Sequence, residues 1–316
     1  MSAPKIVVVA GPTATGKTRL GILLAQALDG EIVSADSMQV YRRMDVGTAK
    51  ATPEERAAAR HHMLDVAEPW ENYSVSRYVD EASACCEDIL SRGKLPIVVG
   101  GTGLYIDSLL AGRDFAGRSE GDESLRAALS ARWDAEGGEA LLEELRSFDP
   151  ERAAKLHPSD KRRIVRAIEI YRLTGETISA HDARTRALPP RYEGLRIHLN
   201  YRFRAELYAR IDARVDAMAE NGLFEEVAAL LAGGVPPDCT AMQAIGYKEA
   251  AAALRGELSR AAAIELIKQS SRRYAKRQIT WFSRAKDALE LLWDGAPDFE
   301  EALRVSTESL ARRGLS

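Results

Sequence analysis

Cysteine is scarce in this sequence, and three positions are too few and too badly spaced for a disulfide framework. Cys85 and Cys86 are adjacent and Cys239 is distant, with no zinc-ligand spacing among them. Small buried or half-buried thiols are the reading that remains. Long apolar runs are missing too: nowhere do the 316 residues approach the roughly 18 to 20 uninterrupted apolar positions of a membrane span. The N-terminal Met1-Ser2-Ala3-Pro4-Lys5 enters a short apolar run without a small-residue cleavage site, so the expected location is cytoplasmic. Net positive charge is lacking as well. A formal charge of -3 argues against wholesale polyanion binding, although it averages over local patches. Repeats and low-complexity tracts do not occur. What is present is a globular composition, 46% hydrophobic and 29% charged, long enough for one large domain and a smaller one.

Residues 5 to 10 (Lys-Ile-Val-Val-Val-Ala) form the continuous β-branched run expected of a parallel strand buried on both faces. Glycines follow, and then Leu20, Leu23, Leu24, Ala27 and Leu28 recur at helical spacing. Residues 31 to 34 and 95 to 99 read as further short strands. Strands alternating with helices predict an α/β fold: a parallel sheet flanked by helices, with ligands at the carboxyl ends of its strands. From about residue 115 strand-like runs give way to charged, alanine-rich helical patterns (125 to 146 and 159 to 174) that close at Leu188-Pro189-Pro190. The expected organisation is therefore a first core part over 1–114, a helical insertion over 115–194, and a return to the core over 195–316. A strand is expected at 195 to 201. After it, Leu207, Ile211, Val215 and Met218, then Val227, Leu230 and Leu231, describe a pair of amphipathic helices.

Gly11-Pro12-Thr13-Ala14-Thr15-Gly16-Lys17-Thr18 satisfies G-x-x-x-x-G-K-[ST] between a predicted strand and a predicted helix, the context its mechanism needs. Such a loop, as in nucleotide-binding P-loop proteins, turns backbone N–H groups inward and adds the partial charge of a helix N-terminus. Lys17 neutralises phosphate oxygens there, and the Thr18 hydroxyl can ligate Mg²⁺. The motif is specific for phosphate and silent about what carries it. Asp36, in Ser34-Ala35-Asp36-Ser37-Met38-Gln39, is expected at the end of a strand neighbouring the loop. It could hold Mg²⁺ through water, act as a general base, or merely cap a following helix. Gly100-Gly101-Thr102-Gly103 ends the third strand, either a site of close backbone approach to ligand or simply a tight turn; Thr102 could donate to the same phosphates as Thr18.

Between residues 268 and 286 lie Lys268, Arg272, Arg273, Lys276, Arg277, Arg284 and Lys286, with no acidic residue, interleaved with Tyr274, Trp281 and Phe282. This stripe is a candidate phosphate-backbone track with aromatics for stacking, or else a solvated helix face. A second cluster, Lys161-Arg162-Arg163 with Arg166, begins an insertion helix. His61-His62 suggests a metal, but no third ligand stands at a plausible spacing.

Taken in order, the phosphate loop, Ser34 to Tyr41, Met44-Asp45-Val46-Gly47-Thr48-Ala49-Lys50, His61 to Asp65, Val99 to Tyr105, Ala244-Ile245-Gly246-Tyr247-Lys248-Glu249 and Tyr274 to Trp281 closely resemble the tRNA dimethylallyltransferases, the IPP transferase family. The resemblance covers about residues 5 to 290; the last 25 or so carry no recognisable motif. It implies a P-loop-like core that binds dimethylallyl diphosphate rather than a nucleotide, with Mg²⁺, and prenylates the adenosine 3′ to the anticodon of a tRNA stem-loop. It further implies Asp36 as general base, Thr18 and Thr102 near the diphosphate, and an arginine after the insertion on that diphosphate, with Arg204 and Arg210 both in the matching stretch. Contacts to tRNA would come from Asp36, Ser37, Met38, Gln39 and Thr102, from Arg162, Arg163, Ile164, Val165 and Arg166, and from Lys276 and Arg277. A monomer is expected. The rivals are a P-loop kinase of a small metabolite, for which no lid signature is seen, a prenyltransferase of free adenine nucleotides, which needs no RNA-gripping insertion, and a non-catalytic RNA-binding protein, which has no use for Asp36.

Overall fold

In the computed structural model, which describes residues 3–112 and 122–315, the chain divides into two compact units. The first comprises Met1–Leu110 with Arg191–Ser316, and the second is Ala111–Pro190. The expected boundary at 114–115 lies outside the described residues. The other expected boundary, 194–195, falls inside a strand that already begins at Glu193.

The first unit is built on six parallel strands: β1 (Lys5–Ala10), β2 (Gly30–Ser34), β3 (His61–His62), β4 (Leu95–Gly100), β5 (Glu193–Tyr201) and β6 (Leu289–Trp293). Their order is β3-β2-β4-β1-β5-β6. Val7, Val8 and Val9 are fully buried, as a strand covered by helices on both faces must be. The core continues through Leu20, Leu24, Ile97, Ile197, Leu199 and Ile211. The parallel sheet with flanking helices is the architecture the alternating pattern predicts. One neighbour relation differs: β2, which carries Asp36 at its end, pairs with β4 and not with the phosphate-loop strand. β4 intervenes, so the ends of β1, β4 and β2 form one rim in that order.

β3 and β6 escaped the sequence reading. β3 is two residues long, and β6 (Leu-Glu-Leu-Leu-Trp) lies among helical patterns at an edge. The motif-free C-terminus nonetheless supports the phosphate loop. Trp293 Nε1 donates to Thr15 O (2.9 Å), and Phe299, opening the helix Phe299–Arg312, stacks edge-on against Trp293 at 5.4 Å.

The second unit has its own core, with Leu129, Leu141, Leu145, Ile164 and Ile168 fully buried, and Phe148 stacked on Tyr171 at 4.0 Å. The expected helix over 125 to 146 is two helices, Glu123–Glu136 and Gly138–Phe148, broken at Gly137.

Candidate active site

β1 ends directly in the phosphate loop. Gly11 is required by close approach: a Cβ there would lie 2.2 Å from Leu199 O of β5. The loop is internally braced, since Thr15 Oγ1 (2.8 Å) and Lys17 Nζ (2.7 Å) both donate to Pro12 O. Lys17 opens the helix Lys17–Ala27, so its ammonium and the helix amides face one region.

That region is a cavity of about 630 Å³. Thr13, Ala14, Gly16, Lys17 and Thr18 line it, while Gly11, Pro12 and Thr15 build the loop behind. Asp36, Ser37, Met38 and Gln39 form a second wall, and residues 47 to 52 a third. Asp36 Oδ1 accepts from the N–H of Met38 (2.9 Å) and of Gln39 (3.4 Å); a turn and not the expected helix follows, and these bonds fix the carboxylate at the cavity. Thr102 stands off the lining: its Oγ1 accepts from the N–H of Ser37 (3.0 Å), bracing the residue beside Asp36.

Arg204 and Arg210 are not among the lining residues. Both are exposed, and Arg210 lies over the Tyr201 ring at 6.0 Å. The arginine that the helix Arg204–Glu220 places in the cavity is Arg214, one turn beyond Arg210. Its Nε is buried without a hydrogen-bond partner among the described residues, and burial draws its pKa down despite the opposing charge of Asp36. A signal for it existed in sequence. Arg214 follows Ile211 by three and precedes Met218 by four, which puts a cation on the inward stripe of an otherwise apolar helix face. Burial of the Lys17 ammonium, with the like charge of Arg214 second, brings its pKa down to about 7 against the pull of Asp36. Two desolvated cations with few protein acceptors form a site for a multiply charged anion.

The basic stripe lies on the helix Arg260–Phe282 and its C-terminal flank, and only part of it is free. Lys268 pairs with Asp216 (2.7 Å) and Arg272 with Asp212 (2.5 Å). Gln278, which the motif reading left without a role, accepts from Thr13 N–H (3.0 Å) and donates to Gly101 O (2.9 Å), joining two glycine turns. Each such bond contributes about 1 kcal/mol net. The aromatics also carry contacts within the protein. Trp281 Nε1 donates to Asp107 (2.8 Å) against Gly103, where a Cβ would meet its ring at 2.3 Å. Phe282 is buried, and Tyr274 lines the cavity with its hydroxyl on Thr102 and Gln278, its pKa raised by burial to about 12. Arg273, Lys276 and Arg277 remain exposed, with Arg277 at the cavity.

On the insertion helix Lys161–Thr174, Arg162 and Arg163 are exposed, whereas Ile164 and Val165 are buried in the unit's own core, so their side chains do not face a partner. Arg166 pairs with Glu169 (2.9 Å). In the adjacent pair His61-His62, His62 bonds Glu31 (2.7 Å) and His61 bonds Ala59 O (2.7 Å). No group of three or more His, Cys, Asp or Glu side chains among the described residues could hold a metal.

The IPP transferase family model matches residues 39–285, and that for isopentenyl transferases matches residues 4–68. A tRNA dimethylallyltransferase of Thermoanaerobacter sp. (strain X514) is 50% identical over 281 residues, 89% of each chain. The crystal structure of a full-length tRNA isopentenylpyrophosphate transferase from Bacillus halodurans superposes with a TM-score of 0.71 at 39% identity, covering 98% of this chain and 97% of that one. A eukaryotic dimethylallyltransferase seen acting on tRNA superposes with a TM-score of 0.81 at 30% identity, covering 99% of this chain and 81% of that one.

Proposed function

The chain belongs to the IPP transferase family, and from that premise we propose that it is a tRNA dimethylallyltransferase. In this reading it moves a dimethylallyl group from dimethylallyl diphosphate to the N6 amine of the adenosine 3′ to the anticodon, releasing diphosphate. The observation that carries the reading is the convergence on one cavity of Lys17, the phosphate loop and Arg214 with the Asp36 carboxylate, which is anchored by the amides of its own turn.

As the allylic carbon–oxygen bond breaks, charge accumulates on the leaving diphosphate. Lys17, the loop amides and Arg214 therefore stabilise the transition state more than the ground state. The adenine amine attacks the allylic carbon and gives its proton to Asp36 as the carbon–nitrogen bond forms. The amine must be presented by a base turned out of its stack, at a cost of a few kcal/mol offset by contacts to the RNA. Thr18 and Asp36 are oxygen donors suited to Mg²⁺, an ion that takes one or two protein ligands and completes its shell from phosphate and water. When bound, Mg²⁺ would supply further neutralisation of the diphosphate. Arg162, Arg163, Arg273, Lys276 and Arg277 are the exposed cations assigned to the RNA backbone, and Asp36 to Gln39 the segment assigned to the target base. No helix among the described residues is long and apolar enough to cross a membrane, and we assign the enzyme to the cytoplasm as a single working chain.

The test is direct. With Mg²⁺ and radiolabelled dimethylallyl diphosphate, the purified protein should label unmodified tRNA and leave AMP and ADP unlabelled. Preferential labelling of AMP would replace this reading with that of a nucleotide prenyltransferase.

A further inference from the structure

The third cavity wall, residues 47 to 52, is held from outside by a carboxylate to which the reaction above gives no part. Glu226, on the helix Leu223–Ala232, accepts four hydrogen bonds: from the N–H of Asp45 (2.7 Å) and Val46 (2.8 Å) on Oε2, and from the N–H of Gly47 (3.1 Å) and the hydroxyl of Tyr247 (2.6 Å) on Oε1. Three successive amides converging on one anion form a backbone nest, and the nest is filled by the protein's own side chain. Tyr247 is fully buried, and burial together with the charge of Glu226 keeps its hydroxyl protonated, hence a donor. Its ring also closes on Gly47, where a Cβ would lie 2.5 Å away, so the loop can occupy this place only with glycine there.

The hold does not stop at residue 47. Gln39 Nε2 donates to Thr48 O (3.2 Å) and Ala49 O (3.4 Å), and Gln39 belongs to the turn whose amides fix Asp36 Oδ1. The path runs from the Glu226 carboxylate through the amides of 45 to 47, the carbonyls of 48 and 49 and Gln39 to the Asp36 turn. None of its members belongs to the phosphate loop.

We propose that Glu226, with Tyr247 as its donor, is a positioning pair that sets the acceptor side of the cavity, the wall and the Asp36 turn, independently of the diphosphate side. The inference rests on the reading of Asp36 as the proton acceptor. Glu226→Gln keeps the size but turns an N–H₂ group toward backbone N–H donors, so the nest opens. Misplacement of a reacting group by about 1 Å can cost on the order of 100-fold in rate. Glu226→Gln should lower kcat with tRNA by about 10- to 100-fold, leave the dissociation constant for dimethylallyl diphosphate, measured without tRNA, within about twofold, and speed amide exchange at residues 45 to 47. Tyr247→Phe, which keeps the ring and removes one of the four donors, should show the same pattern at a few-fold scale. Unchanged turnover with faster exchange would overturn the proposal, as would a parallel loss of donor affinity, which marks a general loosening of the core. If wild-type protein fails to prenylate tRNA, the functional reading itself falls, and the exchange experiment still reports whether Glu226 holds the loop.

Discussion

The phosphate loop and the basic helix Arg260–Phe282 each present cations where phosphate is expected, yet they are assembled in opposite ways. In the loop, the phosphate-facing groups come from eight consecutive residues: Pro12 O receives Thr15 and Lys17, and the helix start supplies the dipole, with Gln278 and Trp293 as outside braces. In the helix, neighbours in sequence have unrelated duties. Gln278 joins two glycine turns and Tyr274 lines the cavity, Lys268 and Arg272 are neutralised by the helix Arg204–Glu220, and Arg273 and Lys276 stay exposed. A site made from backbone can be recognised from a contiguous string. A helix face acquires its meaning only from what packs against it.

The largest expected effect tests whether the cavity's chemistry resides in one carboxylate. Asp36→Asn retains the Oδ1 acceptor that caps its turn but cannot take a proton, so kcat should fall by about 100- to 10,000-fold with tRNA affinity nearly unchanged. Rapid-quench turnover and filter binding measure the two quantities, and turnover at the wild-type rate would remove the general-base role.

Next comes the arginine. Arg214→Gln should lower kcat/KM by about 100- to 1,000-fold, the scale for one charge-stabilising donor in a buried site. Arg204→Gln and Arg210→Gln should each stay within about threefold, because both side chains are exposed away from the cavity. A large loss in Arg210→Gln with little in Arg214→Gln would reverse the assignment.

Lys17 gives a pH dependence of about tenfold. Its pKa is drawn down to about 7, first by burial and then by Arg214, so the empty loop loses its ammonium as pH rises through 7. Diphosphate favours the charged form, so donor binding above pH 7 takes up a proton and weakens by up to about tenfold per pH unit. Below that pKa the cation is already present and the dependence vanishes. Calorimetry at pH 6 and pH 8, with Lys17→Arg as the reference that cancels the donor's own ionisation, should show the difference; identical proton uptake in the two proteins would mean that Lys17 stays charged throughout.

These contrasts also mark where sequence was sufficient. The buried run of β1, the glycine loop and the alternation of strands and helices are periodic or contiguous, and they led to a parallel sheet with a phosphate site at its rim. The family resemblance implies an arginine in the stretch that holds Arg204 and Arg210, whereas Arg214 shares the inward face with Ile211 and Met218. The resemblance implies a tRNA-contacting stretch that takes in Ile164 and Val165, whereas helical geometry turns their side chains into the insertion's core. Trp293 and Phe299 support the loop from nearly 280 residues away in sequence, a partnership no local pattern encodes.

The smallest effect concerns the exposed cations of the basic helix. Replacing Lys276 and Arg277 together with alanine should weaken tRNA binding several-fold and reduce the slope of log K against log salt by roughly 1 to 2, since each phosphate contact contributes about 0.7 to 0.9. Arg277 also lines the cavity and lies over Tyr274 at 5.5 Å, so donor affinity must be followed in the same variant. A Lys276→Ala single variant, whose side chain faces solvent, separates the two duties. If the slope falls in the double variant while donor affinity holds, the helix grips RNA with its outer face and frames the cavity with its inner one. An unaltered slope in both variants would return its outer face to the status of a solvated surface and leave the insertion's Arg162 and Arg163 as the principal RNA contacts.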